Sequence, residues 1–155
     1  MSIETTNVSV KAFFESYRGA IEGGDAPTLA GMFAYPCHIT SDQGEIDLTS
    51  VADEHEWHTQ IEGLLDNYRA IDVYSAHILK LNVVELSPRL VQAQVRWALY
   101  DSDGRQLYEF GALYTLAQID AALKITAIAH DELPLLLKAV KQGKSKSRRP
   151  RICNG

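Results

Sequence analysis

The chain has 155 residues, 46% of them hydrophobic and 23% charged, a length that allows one domain whose core needs neither disulfide nor metal to hold it. Its formal net charge of −5 is unevenly divided: all 20 acidic residues and eight of the 15 basic ones precede Lys138, a net −12, and seven lysines and arginines follow with no acid among them. That sign excludes the body of the chain as a nucleic-acid surface, because phosphate binding calls for clustered positive charge.

In chain order, Val10, Phe13, Phe14, Tyr17 and Ile21 fall on the i, i+3, i+4, i+7 stripe of an amphipathic helix, with Thr6 or Ser9 placed to cap its start and Gly23-Gly24 to stop it. Asp25 then reads as the cap of a second, short helix with Pro27 in its first turn and Leu29, Met32 and Phe33 facing inward. Two apolar segments, Cys37 to Thr40 and Glu45 to Leu48, flank Ser41-Asp42-Gln43-Gly44 and predict a small hairpin. Ser50 and Asp53 resemble a capping box, and Trp57, Ile61, Leu64, Leu65 and Tyr68 continue one face of a third helix that ends near Arg69.

From Ile71 to His130 the pattern is one of long strands. Val91, Ala93, Val95, Trp97 and Leu99 alternate with Gln92, Gln94, Arg96, Ala98 and Tyr100, so one face of that strand is apolar. Asp101-Ser102-Asp103-Gly104 turns the chain into a strand with Tyr108, Phe110, Ala112, Tyr114 and Leu116 on one side and Leu107, Gly111 and Leu113 on the other. Two partly apolar faces predict a sheet covered by helices on one side and by a second subunit on the other. Leu123 to Ala129 forms the last strand, and Leu133 to Val140 one or two turns of helix. The domain is expected over residues 1–137 and a basic, disordered tail over residues 138–155.

No apolar run approaches the roughly 20 residues that span a bilayer, and the start MSIETTN lacks the basic and apolar regions of a signal peptide, so a cytoplasmic protein without membrane contact is expected. Cys37 and Cys153 read as free thiols, and neither a metal nor a cofactor is expected, since two cysteines so far apart make no disulfide framework or zinc site.

The helix ending Ile21-Glu22-Gly23-Gly24-Asp25, followed by Leu29-Ala30-Gly31-Met32-Phe33-Ala34, together with Trp97 to Gly104, Tyr114-Thr115-Leu116 and Lys124-Ile125, resembles the nuclear transport factor 2-like, or cystatin-like, superfamily over residues 8 to 132. The resemblance implies an α+β cone: three N-terminal helices and a hairpin packed on a curved four-stranded antiparallel sheet around a cavity, with homodimerisation through the outer sheet face. It also implies a range of roles, from ketosteroid isomerase-like and SnoaL-like cyclase enzymes to proteins without known chemistry.

Carried over residue by residue, the isomerase-like pattern puts Tyr17 at the place of an oxyanion-donating tyrosine, Ser41 at that of the base with Asp42 one residue away, and Phe110 at that of the second donor. Phe110 cannot donate a hydrogen bond, and a one-residue slip turns a strand side chain to the opposite face, so that particular chemistry is not expected. Tyr17 is then either a polar contact for a ligand or a core-edge tyrosine. His55 and His58 lie three apart and lack the HExxH spacing of a zinc helix, and Cys37 and His38 point to opposite faces of a strand. His130, at the end of the last strand, is the better candidate for a general base, with Asp42 the second.

Tyr17, Tyr35, Trp57, Trp97, Phe110 and Tyr114 lie on elements that converge in such a cone and would line it for a small, mostly apolar ligand, or else fill it. A ligand-binding protein, a lyase, isomerase or cyclase using His130 or Asp42, and a dimeric interaction module with a filled core are the three readings. Nucleic acid enters only through the basic tail, Lys144 to Arg151.

Overall fold

The computed structural model describes residues 3–147, which run α1 (Ile3–Glu22), α2 (Ala26–Gly31), β1 (Phe33–Asp42), β2 (Ile46–Val51), α3 (Glu54–Ala70), β3 (Ser75–Ser87), β4 (Leu90–Tyr100), β5 (Gln106–Ile119), β6 (Ala122–His130) and α4 (Leu133–Ser147). The stripe on α1 faces inward: Val10 and Phe14 are fully buried, and Phe13, Tyr17 and Ile21 pack against the same core. The helix starts at Ile3, ahead of Thr6 and Ser9, so neither of these is its cap.

At the other end the Gly-Gly stop forms. The Gly23 N–H donates to the Gly19 carbonyl at 2.9 Å, Gly24 takes a left-handed φ of +63°, and the Asp25 N–H reaches back to the Ala20 carbonyl at 2.9 Å. Asp25 then caps α2, its Oδ1 accepting the Thr28 N–H at 3.2 Å. The box at α3 is displaced three residues from the expected one: Asp53 Oδ1 accepts the Glu56 N–H at 2.8 Å, and Glu56 Oε2 accepts the Ala52 N–H at 3.0 Å. Ser50 does not cap because it is still in β2, paired with His38.

The sheet has six strands in the order β2-β1-β6-β5-β4-β3, not four with a separate hairpin. The hairpin β1-β2 joins it because β1 runs parallel beside β6, with Ile39 opposite Ile128 and Ser41 opposite His130. The remaining pairings are antiparallel, and register shifts in β1/β6, β3/β4, β4/β5 and β5/β6 bend the sheet. On β4 the apolar parity is buried throughout, Val91, Ala93, Val95, Trp97 and Leu99 all 2% exposed or less, and Ala98 on the other parity is buried as well. With Tyr108, Phe110, Ala112, Tyr114 and Leu116 of β5 they form an inner face on which the helices pack.

Past β6, α4 runs on through Ser147, into the stretch expected as a basic tail from Lys138. Leu133, Leu136 and Val140 repeat at i, i+3 and i+7, and burying that stripe, Leu136 to 1% exposure, holds the helix while Lys138 and Lys141 face solvent. Residues 148–155, which carry the rest of the basic tract and Cys153, lie outside the described residues. Among those described, no helix is long and apolar enough to cross a membrane.

Candidate functional site

Where α1, α2 and α3 meet the concave face, the side chains leave a cavity of about 90 Å³. One water needs roughly 10–15 Å³, so the cavity exceeds a packing defect. Tyr17 and Ile21 come from α1, Leu29 from α2, and Trp57, Ile61, Leu64 and Tyr68 from α3. The sheet adds Phe33 and Ile39 of β1, Trp97 of β4, Phe110, Ala112 and Tyr114 of β5, and Ile128 and His130 of β6, with Glu132 just beyond. The walls are therefore largely aromatic. Phe33 meets Trp57 edge-on at 5.3 Å between centroids, and Tyr17 lies about equally close to Trp97 and Tyr114, at 6.0 and 5.9 Å.

Few polar groups enter this space, and they are ordered. The Trp97 indole N–H donates to the Tyr114 hydroxyl at 2.9 Å, and the Tyr17 ring packs on both. The Tyr17 hydroxyl has a proton to give. Burial raises both phenols above their ordinary pKa, so both stay neutral donors. Trp57 Nε1 is fully buried and has no hydrogen-bond partner.

Glu132 sits at the β6–α4 junction, 8% exposed, its Oε2 accepting hydrogen bonds from the Tyr68 hydroxyl and, at 2.9 Å, from that of Tyr108. Burial pushes its pKa from 4.5 up to about 7, Asp131 adding in the same direction and the two phenols opposing it. Its backbone N–H donates to His130 Nδ1 at 3.2 Å, which leaves the neutral imidazole its proton on Nε2. Desolvation lowers the His130 pKa, so the ring is held neutral.

Of the eight residues expected at the site, Tyr17, Trp57, Trp97, Phe110, Tyr114 and His130 line this space. Tyr35 does not: its hydroxyl donates to the Ala30 carbonyl at 2.6 Å and ties β1 to α2. Asp42 does not either. Its Oδ1 accepts the Gly44 N–H at 3.0 Å in the hairpin turn, and it borders a depression of about 530 Å³ on the outer sheet face with Lys80, Arg96, Leu113 and Asp131.

The inward residue is Ser41, 5% exposed, because Cys37, Ile39 and Ser41 share one parity and Asp42 the other. Reading Cys37 and Ile39 as the buried pair would have put Ser41 inside. Glu132 is the carboxyl group that sequence reasoning missed. In the sequence it is one acid after the last strand, and nothing local marks the two tyrosines that hold it.

A second space of about 230 Å³ adjoins the first, and Ile39, Trp57, Leu64, His130 and Glu132 line both. Its other walls are Ser41, Gln43, Asp47 and Thr49 of the hairpin, Gln60 of α3, and Leu133 and Leu136 of α4. Among the described residues, no group of three or more His, Cys, Asp and Glu side chains is arranged to hold a metal ion.

The model of a family described as NTF2-like protein (DUF6841) matches residues 5–133. No curated protein matches the chain in sequence. Among solved structures, Aln2 from a Streptomyces species is 15% identical with a TM-score of 0.68, over 90% of this chain and 98% of its own. An NTF2-like protein with a cystatin-like fold from Novosphingobium aromaticivorans is 11% identical with a TM-score of 0.65, over 82% and 81%. The beta subunit of a putative aromatic-ring-hydroxylating dioxygenase from the same organism is 11% identical with a TM-score of 0.63, over 86% and 95%. At such identities the likeness is one of fold.

Proposed function

For a chain that belongs to this NTF2-like family, we propose a binding protein for a small, mostly apolar ligand held in the cone cavity between Tyr17, Trp57 and Phe110. The observation that carries this reading is the aromatic-walled space itself, which the surrounding side chains leave unfilled. A core filled by its own side chains would close it. Tyr17 and the His130 Nε2–H are donors on its wall, so the ligand carries an acceptor oxygen or nitrogen.

Tryptophan emission tests the proposal directly, because both tryptophans of the chain border the cavity. Small aromatic carbonyl compounds should shift the emission saturably in the native protein and not in Ala112→Leu, which fills the space. Equal response in both would overturn it.

Glu132 favours a second reading, a cofactor-free lyase, isomerase or cyclase. A carboxyl whose pKa lies at about 7 is matched to proton transfer near neutrality, and His130 lies beside it as a neutral partner. Turnover of such a carbonyl compound by the native chain but not by Glu132→Gln would support this reading over binding alone. The proposal includes a homodimer through the outer sheet face, where Val84 and Leu113 are exposed by 57% and 39%. Light scattering tests this, with Leu113→Glu expected to give a monomer.

A further inference from the structure

The two adjoining spaces differ in chemistry in a way that selects a ligand. The inner one is aromatic and aliphatic, whereas the outer one presents short or uncharged polar groups. Gln43 Nε2 donates to Ser41 Oγ at 3.0 Å, which leaves the serine hydrogen and the Gln43 carbonyl oxygen to offer. Thr49 Oγ1 donates to Asp47 Oδ2 at 3.1 Å, and Gln60 extends from α3 with both ends of its amide available. Trp57 lines both spaces, as do Ile39, Leu64, His130 and Glu132.

No lysine or arginine among the described residues lines either space; the acids there are Asp47 and Glu132. A carboxylate or phosphate entering would lose hydration with no cation to replace it.

We infer that the two spaces together take one elongated, uncharged amphipathic molecule: an apolar ring inside and a hydroxylated end among Ser41, Gln43, Thr49 and Gln60. This rests on the ligand-binding reading and narrows it to neutral ring compounds with a polar tail, excluding acyl and phosphorylated anions.

Three probes share a phenyl ring: toluene has no tail, 3-phenoxypropane-1,2-diol has an ether oxygen and a neutral diol, and phenoxyacetate has the same ether oxygen and an anion. Their binding is followed by tryptophan emission and by the indole N–H resonance of Trp57. The diol should bind roughly tenfold or more tighter than phenoxyacetate, the difference expected when a charge is desolvated without a partner. It should also outbind toluene and move the Trp57 indole signal, because Trp57 lines both spaces. Gln60→Lys, at an exposed position on α3 that folding tolerates, should raise the affinity for phenoxyacetate.

If toluene binds and the diol binds no better than phenoxyacetate, the ligand class is wrong while the cavity reading stands. If no probe binds, toluene included, both fall.

Discussion

The Tyr68 hydroxyl of α3 and the Glu132 carboxyl, which β3 to β6 separate in chain order, meet in the interior and share a hydrogen bond. Tyr108 donates to the same oxygen at 2.9 Å. A buried acid held in this way links the third helix, the fifth strand and the last helix through one titratable group.

That linkage has a sign. The Glu132 pKa is raised on folding, from 4.5 to about 7, so the folded chain holds a proton that the unfolded chain has released between those values. Its contribution to stability is fully present below pH 4.5, falls as pH rises toward 7 and is flat above. The fall is on the order of 3 kcal/mol by linkage. Urea melts from pH 4 to pH 8, compared between native chain and Glu132→Gln, should show that slope in the first and not in the second; parallel curves would remove Glu132 as its source.

Tyr68→Phe and Tyr108→Phe should each raise the Glu132 pKa further, because both hydroxyls favour the charged carboxylate. Each should also cost about 1–2 kcal/mol of stability. Carbon-13 titration of the glutamate side chains measures the first effect, and a downward shift in either variant contradicts the assignment.

Tyr114→Phe is expected to lower stability by about 1–3 kcal/mol, since the buried Trp97 indole N–H then loses its acceptor. Trp97→Phe made in the same background should recover part of that loss, and the double-mutant cycle gives the coupling.

Gly24→Ala should cost about 1–2 kcal/mol, as the left-handed backbone at φ +63° strains any β-carbon. A β-carbon there would also stand 3.3 Å from Arg69 Nη1. Thermal unfolding measures this, and an unchanged melting temperature would mean the turn relaxes.

Cys37 is fully buried, and desolvation pushes its thiol up to about pKa 11. In a Cys153→Ser chain, disulfide reagents at pH 8 should leave the native protein unmodified and label it fully in urea. Prompt labelling of the native chain would show that the strand opens.

The parts legible in the sequence were those written in local period or local capping. Val91 to Leu99 reads as a half-buried strand because every second residue is apolar, and Asp25 reads as a cap because a proline and an apolar run follow it. The parallel contact of the first and last strands had no such signature, and so the sheet was expected with four strands. Glu132 escaped notice for a related reason, since its environment is made by tyrosines distant in sequence. Asp42 and Ser41 were separable in principle by strand parity, which the neighbouring hairpin turn obscured.

The pairing of β1 with β6 also sets an order of events. Ser41 and His130 become neighbours only when the last strand is in place, so the hairpin has no docking edge while the chain is still being made. A chain cut before Ala122 would leave β1 and β5 as two open edges flanking an apolar face. Such a fragment is a template for intermolecular strand pairing, and the final strand therefore guards the nascent protein against self-association.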